Sequence, residues 1–336
     1  MHFCQLGIAG SFIRRQFSLK WVLVAALATF AAWKFFAMRR RPKYAAFQLN
    51  NAQFSDQLFD VCIGLGIAKL TSRRFHPIEM VRQEAADLHL RTVAAWFPKL
   101  KDTMAQIKKS VVEKHTIPYV APARQAISNT TNDDSIVLLF DERYTQEMWL
   151  ISENEDELRN LLQYDDRTIE EAQKELWKHK IYNSKHSDTS PVLCVHLNQS
   201  KSPTGKQEEH GIVKAARSLA QGMGAKRFFI FAEQHTFAAA MEHTLRTIAS
   251  WQPNVYVSDF TQEMETFVVS QLCDSVLLTD IESKHSFWIG FFAKNQSAVY
   301  YLTTKKVAHP LVLPAWKPYG DKKIAKQNSD YVYKAK

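Results

Sequence analysis

The second half of the chain has a regular rhythm of apolar and polar positions. Val192 to Leu197 is an apolar run of strand length, Glu209 to Met223 has helical periodicity, and Arg227 to Ala232 is again strand-like. Phe237 to Ser250 reads as a helix, Val255 to Val257 as a strand and Thr261 to Leu272 as a helix. The stretch Cys273 to Tyr301 then holds a short apolar run (Ser275 to Thr279), a mostly polar loop (Asp280 to His285), a helix-like run (Phe287 to Phe292) and a last apolar segment (Ala298 to Leu302). Strand and helix in strict alternation predict a doubly wound parallel sheet, which binds ligands outside the carboxyl ends of its strands. The loop after the Ser275 strand carries Asp280, Glu282, Ser283, Lys284 and His285. It is either a ligand-facing polar set or a solvated connector closed by Ser283 as a helix N-cap.

The first half is less regular. Phe54 to Ala68 reads as a helix with Ser55 at its N-cap and an apolar face from Leu58, Phe59, Cys62, Ile63 and Leu65. Gly64 and Gly66 lower helix propensity there, which predicts close packing against a neighbour. Residues 79 to 113 read as largely helical with an interruption at Pro98, and Ile117 to Val120 and Ile136 to Phe140 read as strands. Asp156 to Trp177 is an acidic amphipathic helical region, broken near Tyr164. Asn183 to Ser190, rich in Ser, Thr and Asp, marks the boundary between the halves.

Charge changes the picture only once it is located. Of the formal net charge of +9, residues 1 to 43 hold +8 and residues 305 to 336 hold +6, so the body between carries −5. A mildly acidic body with basic ends is not a polyanion-binding surface, which argues against nucleic acid as a partner. The basic N-terminal residues surround an apolar segment, Trp21 to Met38, interrupted by Lys34 near one end. A lysine there can snorkel to the headgroups, and an Arg-rich flank rather than a small-residue cleavage site favours an uncleaved anchor. The chain therefore divides into a tail (1–20), a transmembrane helix (21–38), a stem (39–46), an N-terminal α/β domain (47–188), a C-terminal Rossmann-like domain (189–304) and a basic tail (305–336).

Asn129, Asn198 and Asn295 each begin an Asn-x-Ser/Thr triplet and are glycosylation candidates for a body facing the secretory lumen. Cys62, Cys194 and Cys273 follow the anchor. An odd count excludes a fully paired monomer and argues against a disulfide scaffold. No metal-ligand spacing is present.

Several of these segments together resemble the α-1,2-fucosyltransferases, glycosyltransferase family 11. Ser283-Lys284-His285-Ser286-Phe287-Trp288 is similar to that family's S-x-F-x-W-W, and Gln57-Leu58-Phe59 with Gly66-Ile67-Ala68-Lys69 to its opening GNQ-Leu-Phe helix. Val195-His196 matches the start of its H-x-R-R-x-D motif, and His309-Pro310 through Pro314-Ala315-Trp316 its Pro-x-x-Trp region. The likeness runs in order from about residue 47 to about 318. It departs where the family has Arg-Arg-x-Asp, since this chain has Asn198-Gln199-Ser200-Lys201, and where Gly-Asn becomes Ser55-Asp56 and one Trp becomes Phe287. Paired arginines would hold phosphate oxygens bidentately, and Asn and Gln cannot neutralise a diphosphate.

The resemblance implies two Rossmann-like domains facing across a cleft, a GT-B-like α/β fold. It implies a Golgi enzyme, single-pass type II with a lumenal body, that transfers fucose from GDP-fucose to a hydroxyl of a glycan acceptor with inversion and needs no cofactor or metal. The alternative is a catalytically silent relative acting as a glycan- or partner-binding module. Donor-binding candidates are His196 at a strand end (or an ordinary strand-end histidine), Lys201 in place of the missing positive charge, Glu265 for the guanine edge, and Ser283 and His285 in the loop over the donor. No residue is assignable as the general base.

Overall fold

The structure is a computed structural model. It describes residues 21–33, 42–49, 53–79, 91–104, 114–178, 190–197, 206–232, 235–248, 253–303, 307, 310–320, 324 and 326. The first 43 residues form one unit, in which residues 21–33 are helical with every side chain exposed. Among the described residues no helix is long and apolar enough to cross a membrane. The second part of the expected span, residues 34 to 38, lies outside the described residues.

Residues Tyr44–Lys336 form a second, compact unit built on two parallel sheets. Its first half runs β1 (Tyr44–Leu49), α1 (Phe54–Leu70), β2 (Arg74–Glu79), α2 (Pro98–Thr103), β3 (Lys114–Ile117), α3 (Ala123–Asn129) and β4 (Val137–Phe140). Three helices close it: α4 (Trp149–Ser152), α5 (Glu155–Leu161) and α6 (Asp166–Lys178). The break foreseen near Tyr164 separates α5 from α6. The strands lie in the order β2-β1-β4-β3, all parallel.

Four local expectations need correction. Tyr44 to Ala46 are not stem but the start of β1, with Ala45 and Ala46 fully buried. Pro118 lacks the N–H that a ladder needs, so the strand expected at Ile117 to Val120 ends at Ile117 instead of beginning there. Gln53, not Ser55, is the N-cap of α1, and Ser55 lies inside the helix with its hydroxyl turned to another partner. Lys317 to Gly320, placed in the basic tail, form a last strand of the second sheet. The two glycines of α1 do mark close packing. A Cβ on Gly64 would lie 2.2 Å from the Phe75 ring, and one on Gly66 3.1 Å from Leu150.

The second half runs β5 (Val192–His196), α7 (Lys206–Met223), β6 (Arg227–Phe231), α8 (His235–Ile248), β7 (Asn254–Val257), α9 (Gln262–Leu272), β8 (Ser275–Leu278), α10 (Lys284–Phe292), β9 (Val299–Thr303) and β10 (Lys317–Gly320). Its sheet order is β10-β9-β8-β5-β6-β7, all parallel. Numbered from its own first strand and read from the β7 edge, that is 3-2-1-4-5-6, the doubly wound order whose strand sequence reverses between β5 and β8. The first sheet has no such reversal, because β1 to β2 and β3 to β4 step in the same direction across it. The switch-point crevice therefore lies in the second half, at the carboxyl ends of β5 and β8, where α10 begins.

One hydrophobic core joins the halves. It includes Phe47, Phe59, Phe75 and Phe140 of the first half with Phe267, Phe287, Trp288 and Phe291 of the second. Phe59 meets Phe287 edge-on at 5.6 Å and Trp288 at 6.1 Å. Trp316 seals the outer side of α10. A Cβ on Gly290 would be 2.6 Å from its ring, and its indole N–H donates to Gln296 at 2.8 Å. A smaller core on the other face of the second sheet packs α7 and α8 through Ile212, Ala216, Ala238 and Met241.

Candidate functional site

The crevice between β5 and β8 is furnished by the first turn of α10. Ser283 caps that helix, accepting the Ser286 N–H at 3.3 Å, which accounts for its side chain as a structural element. The Ser286 hydroxyl is paired with Nδ1 of His196 at 2.7 Å. His196 closes β5 and is fully buried. Its backbone carbonyl accepts from the Thr279 N–H at 3.1 Å and the Thr279 hydroxyl at 3.0 Å, pinning β5 to the end of β8.

His285, one residue before Ser286, turns to α9 and pairs through Nε2 with Glu265 Oε2 at 2.7 Å. The two imidazoles meet edge to face at 5.0 Å. His196, Glu265 and His285 are therefore one cluster, all but out of solvent. Nε2 of His196 and Nδ1 of His285 have no hydrogen-bond partner among the described residues. Burial, reinforced by the neighbouring His285, pushes the His196 pKa well below its ordinary value, so this ring is neutral at physiological pH. With Nδ1 engaged by Ser286, only Nε2 of this neutral ring is left over, a donor in one tautomer and an acceptor in the other.

The seam between the halves holds a second group of contacts that sequence reasoning did not identify. Lys284 reaches from α10 to α1, with Nζ 2.9 Å from Asp60 Oδ1 and 3.5 Å from Asp56 Oδ1. Burial raises the Asp60 pKa, and the Lys284 charge opposes that rise. Gln262, at the start of α9, accepts from the Ser55 hydroxyl and donates to Gln53 Oε1 at 2.6 Å. Trp288 donates its indole N–H to the Ser55 carbonyl at 2.9 Å. The one available signal was spacing, since Asp56 and Asp60 are four apart and share a helix face. Nothing local identified Lys284 as their partner.

Lys201 and Asn198 lie outside the described residues, as do Gln199, Ser200 and His309. Of the glycosylation candidates, Asn129 is exposed at the end of α3. Asn295 is exposed too, and its Oδ1 accepts from the Ser297 N–H at 3.0 Å and hydroxyl at 2.7 Å. Among the described residues no group of His, Cys, Asp and Glu has metal-binding geometry. Cys194 and Cys273 form a disulfide between β5 and the C-cap of α9, and Cys62 is free and buried. The pairing sits behind the cluster, fixing the strand that carries His196 to the helix that carries Glu265.

No family model matches this chain, and no curated protein matches it in sequence. Solved structures do match. The fold is similar to that of POFUT1 in complex with GDP, at TM-score 0.50 and 11% identity over 84% of this chain and 99% of that one. The fucosyltransferase NodZ from Bradyrhizobium matches at TM-score 0.45 and 10% identity over 75% and 93%. FUT1 of Arabidopsis thaliana with GDP matches at 0.46 and 10% over 84% and 77%. The POFUT1 likeness shows a shared fold. It is an α/β fold of two parallel-sheet halves, as the sequence rhythm and the resemblance implied.

Proposed function

We propose that this chain is a fucosyltransferase-type glycosyltransferase that takes GDP-fucose as donor and a glycan hydroxyl as acceptor. The observation that carries the reading is the switch point between β5 and β8, where His196 and the capped N-terminus of α10 meet. A doubly wound sheet binds its nucleotide at that crevice, and the free N–H groups of a helix's first turn favour anionic oxygens. Glu265 and His285 lie beside it, on α9 and α10. In the proposed reaction the diphosphate departs with negative charge while positive charge spreads over the sugar ring. The protein must stabilise the leaving group and relieve the acceptor hydroxyl of its proton. The resemblance to family 11 supports inversion and an α-1,2 linkage.

The location belongs to the same reading. Residues 21 to 38 serve as a type II anchor, placing the body in the Golgi lumen with Asn129 and Asn295 open to glycosylation. The Cys194–Cys273 disulfide supports an oxidising compartment. Endoglycosidase should shift the mobility of the protein from secretory membranes. Cytosolic protease access to the body, with no shift, would overturn this placement.

A second reading has its own support. Lys284, His285 and Ser55 are each already paired within the chain, and residues 198 and 199 are not arginine. A binding module without turnover would retain such a fold. Calorimetric titration of the full chain with GDP and GDP-fucose, followed by a donor-hydrolysis assay, separates the two. Binding with turnover supports the enzyme, and binding without turnover supports the module. No binding of either nucleotide rejects the donor site.

A further inference from the structure

The carboxylates of Glu265, Asp60 and Asp280, around the β5–β8 crevice, are already committed. Glu265 is held by His285, and Asp60 is buried against Lys284. Asp280 is nearly buried and accepts the Glu282 N–H at 2.9 Å. Asp56, in the first turn of α1, is different. Its side chain is 38% exposed, and its Oδ1 lies 3.5 Å from the Lys284 ammonium, which sits closer to Asp60.

The other half of the molecule fixes Asp56 in place. The carbonyl of Ser55, the residue before it, accepts the Trp288 indole N–H at 2.9 Å, and the Ser55 hydroxyl donates to Gln262. Trp288 belongs to α10 and Gln262 to α9, so the first turn of α1 is pinned against both helices beside the crevice. An open carboxylate therefore stands on the first-half wall, next to the start of α10. Glu263 and Glu282 are not buried either, but both belong to the second half.

We propose that Asp56 is the general base of the transfer, the group that takes the proton of the acceptor hydroxyl. The inference rests on the donor reading above. Displacement with inversion brings the acceptor oxygen to C1 of the sugar from the side opposite the leaving group. A diphosphate at the N-terminus of α10 lies on the second half, so the base belongs on the first-half wall, where Asp56 stands. In the step, the acceptor oxygen bonds to C1 as the C1–O bond to the diphosphate breaks. The bonding pair leaves with GDP, and the hydroxyl proton passes to a carboxylate oxygen of Asp56.

The test is hydrolysis of GDP-fucose by the full chain in detergent, with water as the acceptor. Asp56→Asn should lower kcat by at least about 100-fold, the scale of general base catalysis, with GDP affinity by calorimetry kept within about twofold. Azide, a nucleophile with no proton to lose, should restore turnover in Asp56→Asn as fucosyl azide. Glu142→Gln, which removes an exposed carboxylate just after β4, should keep the parent's rate. An unchanged kcat in Asp56→Asn, an equal loss in Glu142→Gln, or a loss that azide does not restore would each overturn the assignment. A parent that binds GDP without hydrolysing GDP-fucose overturns it too and leaves the donor site standing. A parent that binds neither nucleotide overturns both.

Discussion

Lys284 of α10 and Asp60 of α1 form an ion pair at 2.9 Å, with the Asp60 side chain 7% and the Lys284 side chain 26% exposed. The pair ties the helix that opens the β8 crevice to the helix that follows β1. The Lys284 ammonium also lies 5.1 Å from the Phe59 ring centroid, so its stem packs on the aromatic seam between the halves.

Removing one partner of this pair should cost more than removing both. Lys284→Met leaves the Asp60 carboxylate buried and uncompensated, and the expected loss is about 2–4 kcal/mol, slightly below the range for fully buried pairs. Lys284→Met with Asp60→Leu should recover most of it. A double-mutant cycle from urea unfolding measures the coupling. Additive single effects would show that the pair is not energetically joined.

His196 should make the fold sensitive to acid. Its folded pKa is depressed from 6.5, so its contribution is fully present above pH 6.5 and is lost as pH falls toward the folded value. Asp60 has the opposite sign, because its pKa is raised. Its contribution is fully present below 3.8 and is lost as pH rises through the folded value. The faces toward His196 carry His285 and, through it, Glu265, so His196→Asn is the control that isolates this ring. The urea midpoint should fall between about pH 7 and about pH 5.5 in the parent and change less in His196→Asn. Equal slopes would reject the assignment.

The second sheet was legible because its first five strands are short apolar runs separated by helical segments, the pattern a sheet covered on both faces must have. The first sheet was less so. β1 and β2 are edge or near-edge segments containing Gln48, His76, Pro77 and Glu79, and their pairing depends on partners distant in sequence. β10 was hidden by its lysine and proline, which an edge strand tolerates. At the site, His196, Glu265 and His285 stand in three separate segments of the sequence, and the fold brings them together. Ser286 and the Lys284 ion pair carry no comparable local signal. Hydrogen-bond partners 90 and 224 residues apart leave no local pattern in a chain.

The Cys194–Cys273 disulfide closes a loop of 79 residues that contains β6, α8 and β7. Loop-closure entropy puts its contribution at about 4.5 kcal/mol. Cys273→Ser should therefore lower the urea midpoint of the body markedly, and reductant should lower the parent to match it. Cys62→Ser, at the free cysteine, should not abolish the response to reductant. A parent indifferent to reductant, with Cys273→Ser unchanged, would mean that the bond is not formed.

The chain after His196 lacks positive charge at the two positions that follow Leu197. β5 ends at His196 on the crevice side of its sheet, and the next positions are Leu197, Asn198 and Gln199. In the family this chain resembles, arginines at the latter two positions would face a diphosphate. A guanidinium–phosphate contact contributes about 1.5–3 kcal/mol, so one good contact corresponds to about tenfold in affinity or more. Asn198→Arg with Gln199→Arg should raise GDP affinity by at least about tenfold. Its salt dependence should also steepen, because the added attraction is electrostatic. The same change removes the Asn198 glycosylation triplet, so Ser200→Ala, which removes only the triplet, is the required control. A gain in the arginine variant absent from the control places the nucleotide at the end of β5. Equal GDP affinity in parent, control and variant would show that the chain after His196 does not meet a nucleotide, and any donor pocket would have to lie elsewhere.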